Sequence, residues 1–116
     1  MQTNRELLAG KCHHTEQALS SDALQRYLRL VPEWRQDGPC ISRTYQFKNY
    51  YETMAFINAI AYVIHAEDHH PEIVSTYNRC VVRFDTHSVN GGTGGISEND
   101  FICAAKVDAI YQQSFS

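Results

Sequence analysis

The chain has 116 residues, of which 43% are apolar and 20% charged, enough for one domain with a single core. Ten Lys and Arg against 13 Asp and Glu give a net charge of −3, which excludes the basic excess of a dedicated nucleic-acid binder and the composition of a disordered acidic tail. The longest apolar run, 59–64, is too short for a transmembrane helix, and the N-terminal residues lack the apolar stretch of a secretory signal. We therefore expect a soluble, cytoplasmic, single domain over 1–116 that contacts neither membranes nor nucleic acid.

The N-terminal part of the chain carries little periodicity. Residues 1–19 are polar and irregular, and we expect them to be partly mobile. The Cys-His-His run at 12–14 lies there, and we interpret it as incidental. An amphipathic helix is predicted from Ser21 to about Val31, where Pro32 ends it.

The middle of the chain predicts a strand followed by a long helix. A short strand begins at Trp34, and residues 41–47 alternate between apolar and polar side chains, which is typical of a strand. A buried helix is predicted from Asn49 to about Glu67. Because Pro71 cannot continue a helix and constrains the residue before it, this helix must end near Asp68.

The last third of the chain predicts a hairpin and a final helix. Strands are expected over 72–77 and 79–87 with a tight turn at Asn78, followed by a flexible glycine-rich loop at 90–95 and a helix starting at Ser97. Two hairpins with amphipathic helices between and after them indicate an α+β fold, an antiparallel sheet covered on one face.

The four cysteines are widely spaced and form no CxxC motif, which excludes a zinc ribbon or a thioredoxin-type redox site. Without a secretory signal we expect them to be reduced. Cys80 and Cys103 lie in apolar patterns and are predicted to be small core residues.

Histidine is the unusual feature, with four of the six histidines between His65 and His87. His69 and His70 precede a proline at a helix-to-strand turn, and pairing of the following hairpin brings His87 back toward them. Histidine titrates near neutral pH, so such a cluster can supply both a proton donor and a proton acceptor. The strand register therefore predicts an acid–base site at one end of the sheet.

Two alternatives for this region stay open. Three histidines can bind zinc or iron, although only His65 and His69 have a spacing suited to a helical ligand pair. Ser97 and Asp100 have the spacing of a helix capping box, so Asp100 either caps the last helix or supports a histidine.

Several short motifs, taken as a series, resemble those of a known protein family. Between Trp34 and Tyr111 the sequence contains, in this order, Trp34, an aromatic strand, an HHP turn, a Tyr-Asn turn, a Thr-His pair and an S-E-N-D helix start. In this series the chain resembles the pterin-4a-carbinolamine dehydratases, also known as dimerisation cofactors of a homeodomain transcription factor.

The resemblance implies a four-stranded antiparallel sheet with three helices on one face. It implies dehydration of 4a-hydroxytetrahydrobiopterin to quinonoid dihydropterin, the step that recycles the cofactor of phenylalanine hydroxylase, without a metal or other cofactor of its own. It also implies a homodimer or homotetramer, and a second role as a protein that stabilises a transcription factor or another partner.

The family's site residues map onto this chain residue by residue. We expect His69 and His87 to be the acid–base pair and His70 chiefly to orient the substrate. Family pterin contacts fall on His69, His70 and His87 and on four further positions, which are Asp68, Asp85, Thr86 and Ser88.

Two departures concern the surroundings of these histidines. His65 stands where relatives often have a glutamate, with Glu67 displaced by two positions. A longer connection separates His87 from Asp100 than in the animal members. We therefore treat His65, Glu67 and Asp100 as supporting candidates and favour the capping role for Asp100.

Overall fold

The computed structural model describes residues 2–116, and within them the chain forms four α-helices and one four-stranded sheet. The helices are α1 (Asn4–Ala9), α2 (Ser21–Leu30), α3 (Tyr50–Glu67) and α4 (Glu98–Ser114), with a short 3-10 turn at Asn90–Gly92. The strands are β1 (Arg35–Asp37), β2 (Cys40–Gln46), β3 (Glu72–Ser75) and β4 (Arg79–Phe84). The α+β class and the four-stranded antiparallel sheet are confirmed, whereas the expected three helices are four.

The sheet has the order β1-β2-β4-β3, with every neighbouring pair antiparallel. The hairpin of β3 and β4 closes tightly, with Thr76 N donating to Arg79 O at 2.8 Å. Its register sets Glu72 opposite Arg83, so the residues just before β3 face those just after β4. This places the HHP turn and the Thr-His pair at the same end of the sheet.

The core lies between one face of the sheet and the helices. Alternation along β4 buries Cys80, Val82 and Phe84, which pack with buried side chains of α3 and α4 such as Phe56 and Phe101. Burial of Cys80 and Cys103 is confirmed, and all four cysteines are free thiols. Burial raises the pKa of the Cys80 thiol to about 11, which leaves it unreactive at neutral pH.

A partly buried group of polar side chains joins α4 to the sheet. One carboxylate oxygen of Asp108 accepts hydrogen bonds from Trp34 Nε1 at 2.9 Å, from Arg43 Nη1 at 2.8 Å and from the hydroxyl of Tyr45. The Arg43 guanidinium also lies 4.4 Å from the centre of the Tyr45 ring. Arg43 interrupts the apolar face of β2 because its guanidinium forms an ion pair with Asp108 of α4.

The expectation of an irregular segment over 1–19 was wrong for residues 4–9, whereas residues 10–19 have no regular secondary structure. Residues 4–9 form α1, whose N-cap Thr3 accepts from Glu6 N and whose Leu7 is fully buried in the core. Within residues 2–116, no helix is both long and apolar enough to span a membrane.

Candidate active site

A cavity of about 420 Å³ opens at the end of the sheet where α3 runs into β3 and β4 runs into the loop at 90–95. The three histidines of the predicted cluster line it together, as the strand register requires. Its other lining residues are Cys12, His13, His14, Thr15, Glu67, Asp68, Asp85, Thr86, Ser88 and Asn99.

The C-terminal end of α3 aims His69 into this cavity. Asp68 adopts the left-handed conformation (φ 50°), a geometry that Asp tolerates better than most side chains. Asp68 N then donates to His65 O at 3.2 Å and His69 N to Ile64 O at 3.4 Å, the two bonds of a Schellman motif. The predicted end of the helix near Asp68 is confirmed, and its cap fixes the direction of the next residue.

His69 forms the closed end of the site. Its Nε2 lies 2.6 Å from Asp100 Oδ1, with 11% of the His69 side chain and none of the Asp100 side chain exposed. The imidazole stacks on Phe84, with ring centres 5.8 Å apart and planes 7° from parallel. With Asp100 ionised, Nε2 carries the proton of this hydrogen bond, so Nδ1 is the nitrogen left to exchange a proton with a ligand.

Asp100 performs both roles that the sequence left as alternatives. While Oδ1 meets His69, Oδ2 accepts from Ser97 N at 2.8 Å and from Thr86 Oγ1 at 2.9 Å, which completes a capping box on α4. The favoured capping role is confirmed, and Asp100 also contacts His69 because the two oxygens of one carboxylate bind different partners. The longer connection does not remove Asp100 from the site, since Thr86 pairs with Gly95 and closes the loop at its base.

His70 and His87 lie at the open rim, with 71% and 84% of their side chains exposed. Each has a carboxylate nearby: His70 Nε2 is 3.6 Å from Asp68 Oδ1, and His87 Nε2 is 3.3 Å from Asp85 Oδ1. These are loose contacts compared with the buried pair. The rim histidines are therefore free to turn toward a ligand.

Two of the supporting candidates, His65 and Glu67, lie in different surroundings. His65 is exposed and does not line the cavity. Glu67 is buried and accepts from Cys12 N at 2.8 Å and from Lys106 Nζ at 3.3 Å. Although burial raises the pKa of Glu67, the hydrogen bond from Cys12 and the charge of Lys106 outweigh it, so the net pKa lies below its ordinary value. Ser88 donates to the carbonyl oxygen of Thr15.

The N-terminal residues that the sequence analysis set aside as incidental line the cavity. Cys12, His13, His14 and Thr15 all contribute to its wall. Asn99, which sequence reasoning also missed, binds the backbone of His13. The run of two histidines after a cysteine was the available signal, and the absence of helical or strand periodicity hid it.

Within residues 2–116, no group of three or more His, Cys, Asp and Glu side chains is arranged to hold a metal ion.

Comparisons with known proteins converge on one family. The family model described as pterin 4 alpha carbinolamine dehydratase matches residues 17–110. A Bdellovibrio bacteriovorus protein that carries the name of this dehydratase is 54% identical over 116 residues, covering 100% of this chain and 97% of its own. A Nitrosospira multiformis protein with the same name is 44% identical, covering 97% of this chain and 99% of its own.

Solved structures give the same result. A Brucella melitensis protein described as a transcriptional coactivator/pterin dehydratase superposes with a TM-score of 0.73 at 30% identity, covering 80% of this chain and 97% of that one. A pterin dehydratase-like protein described as a RuBisCO assembly factor in the alpha-carboxysome superposes with a TM-score of 0.56 at 26% identity, covering 67% and 88%.

Proposed function

The chain belongs to the pterin-4a-carbinolamine dehydratase family, a family of hydro-lyases, and on this premise we propose that it dehydrates 4a-hydroxytetrahydrobiopterin by histidine acid–base catalysis. The observation that carries the proposal is the buried His69–Asp100 pair at the closed end of a cavity whose rim holds two further histidines.

The reaction needs two proton transfers and nothing else. The bond between C4a and its hydroxyl oxygen breaks, and the oxygen leaves with the electron pair and takes up a proton to become water. N5 gives up its proton, and the electrons of that N–H bond form the C4a=N5 double bond of the quinonoid product. One general base and one general acid, each contributing a factor of about 10²–10⁴ to the rate, are therefore sufficient to catalyse the reaction.

His69 is the better base of the two candidates. A base becomes cationic when it accepts the N5 proton, and the buried carboxylate of Asp100 at 2.6 Å stabilises that imidazolium. The same contact fixes the ring orientation and tautomer before the substrate arrives. Thr86 and Ser97 in turn hold Asp100, which makes the pair rigid.

His87 is assigned as the acid that protonates the departing hydroxyl. Its exposed ring, beside Asp85 at the rim, can exchange protons with water after each turnover. His70 and Asp68, neighbours at the turn after α3, are assigned to binding and orientation. Thr86 and Ser88 act indirectly, because their hydroxyls are engaged with Asp100 and with the backbone of Thr15.

A stopped-flow assay with chemically generated 4a-hydroxytetrahydrobiopterin tests the proposal. We expect the purified chain to accelerate formation of the quinonoid product well above the spontaneous rate, with the activity retained after chelator treatment. A wild-type rate equal to the spontaneous rate contradicts the proposal, and loss of activity on chelation supports the metal alternative instead.

This activity places the chain downstream of an aromatic amino-acid hydroxylase such as phenylalanine hydroxylase, whose reaction generates the substrate. We also propose a homodimer or homotetramer in solution, which light scattering on the purified protein measures directly.

A second candidate function, stabilisation of a partner protein, is supported by the assembly factor among the structural neighbours and by exposed aromatic side chains remote from the cavity. Tyr51 and Tyr62 on α3 are 82% and 73% exposed. In this case replacing both tyrosines by serine abolishes partner binding while dehydration is unchanged.

A further inference from the structure

One wall of the cavity is built by residues 12–15, which precede the region that the family model matches. We call this segment the N-terminal wall. The HHP turn and the end of β4 lie within the matched region, whereas the wall lies outside it.

The N-terminal wall is held in place through its backbone. Cys12 N donates to Glu67 Oε1 at 2.8 Å, and the hydroxyl of Ser88 donates to Thr15 O. The side-chain amide of Asn99 forms two hydrogen bonds with the backbone of His13, a pair that we call the clamp. Its Oδ1 accepts from His13 N at 3.2 Å, and its Nδ2 donates to His13 O at 2.6 Å. Asn99 is 4% exposed, so this clamp is a buried, fixed part of α4.

Because the anchoring uses backbone atoms, two imidazoles of the wall remain available. His13 and His14 are both exposed, and His14 Nε2 has only a loose contact, 3.6 Å, with the exposed Glu16. The Cys12 side chain, by contrast, turns inward, with its Sγ 3.5 Å from Cys103 Sγ. The wall therefore presents hydrogen-bonding groups at the mouth of the cavity.

We propose that the N-terminal wall binds the hydroxylated C6 side chain of the pterin, with His13 and His14 hydrogen-bonding to it and Asn99 as the positioning residue. This inference rests on the proposed function. The reacting atoms C4a and N5 must reach His69 at the closed end, and the flexible dihydroxypropyl chain on the adjacent C6 can extend from there to the exposed imidazoles at the mouth.

The test compares two substrates, the 4a-hydroxytetrahydropterins with a dihydroxypropyl or a methyl group at C6. In the double variant His13→Ala/His14→Ala we expect KM for the dihydroxypropyl substrate to rise about tenfold, because the hydrogen bonds to its side chain are lost. Its kcat and the KM for the methyl substrate should stay within about twofold. The matched control is Gln112→Ala/Gln113→Ala, which removes two adjacent exposed polar side chains outside the cavity.

An unchanged KM, an equal rise for both substrates, or a fall in kcat would each overturn the inference. If the wild-type chain dehydrates neither substrate, the proposed function fails separately. Equilibrium binding of dihydrobiopterin then still decides the role of the wall, which predicts a Kd about tenfold weaker in the histidine variant than in the glutamine control.

Asn99→Ala tests the positioning role. Loss of the clamp should raise KM for the dihydroxypropyl substrate more than for the methyl substrate, with kcat retained. A purely structural role for Asn99 would lower the melting temperature without this difference between substrates.

Discussion

The closed end and the rim of the cavity hold the same side chain in opposite surroundings. His69 is nearly buried, stacked on Phe84 and bonded to a fully buried carboxylate at 2.6 Å. His87 is 84% exposed and lies 3.3 Å from a partly exposed carboxylate. The first arrangement suits a fixed proton acceptor whose charged form is stabilised, and the second suits a group that exchanges protons with water.

The difference arises from the elements that carry the two residues. His69 follows a Schellman cap on a long helix and faces the first turn of α4, so packing determines its position. His87 follows β4 in a turn and has no such support. Under the proposed function, a fixed histidine and a proton-exchanging histidine thereby have separate roles in one site.

The largest expected effect comes from His69→Ala. We expect kcat to fall at least about 100-fold, since the variant removes the base and leaves the Asp100 charge buried without its partner. Stopped-flow dehydration measures the rate, and circular dichroism checks the fold. A rate within threefold of wild type would show that His69 is not the base and that catalysis depends on the rim histidines alone.

Asp100→Asn tests whether the partner of His69 matters for chemistry. We expect kcat to fall at least tenfold, because an amide cannot stabilise the imidazolium. The melting temperature should also fall, as for a loss of about 1–2 kcal/mol, since the amide cannot satisfy His69, Thr86 and Ser97 together. Ser97→Ala is the control, because it weakens the cap and leaves the carboxylate in place. Equal losses of activity in the two variants would show that Asp100 contributes only as the helix cap of α4.

His87→Ala should have a smaller effect, about tenfold on kcat, because water and buffer can partly replace an exposed acid. Its melting temperature should match that of wild type, since the side chain packs against little. Added imidazole should restore activity to His87→Ala more than to His69→Ala. Equal rescue of both variants would erase the distinction between rim and closed end.

The features that the sequence predicted are those set by local rules. Pro71 and the spacing after the last apolar residues end α3 at Asp68, and hairpin pairing brings His87 to the HHP turn. Both depend on backbone geometry that a few residues determine, so sequence reasoning reaches them.

The features that the sequence missed depend on contacts between distant segments. α1 is six residues long with one buried side chain, Leu7, which is too short for a periodic signal. The place of Asp100 was underestimated because counting residues in the loop ignores the bridge between Thr86 and Gly95 that closes it. The N-terminal wall depends on Asn99, a residue 86 positions away from His13.

The smallest expected effect on kcat concerns Glu67, the other buried carboxylate of the site, which accepts a hydrogen bond from the backbone of Cys12 and not from an imidazole. Glu67→Gln should lower the free energy of unfolding by about 2 kcal/mol at pH 7, because a charge-assisted hydrogen bond from Cys12 N and the ion pair with Lys106 are lost. It should change kcat by less than about threefold, since the variant leaves the His69–Asp100 pair intact.

The pH dependence of this loss has a defined sign. The pKa of Glu67 is lower in the folded chain than its ordinary value of 4.5, so its contribution is complete above that value and disappears as the pH falls through the folded pKa. Urea unfolding should therefore show the variant and wild type converging as the pH falls below 4.5 and through the folded pKa. Glu33→Gln, an exposed carboxylate remote from the cavity, should show no such convergence. A pH-independent difference for Glu67→Gln would mean that the shape of the side chain, and not its charge, holds residues 12–15 against the site.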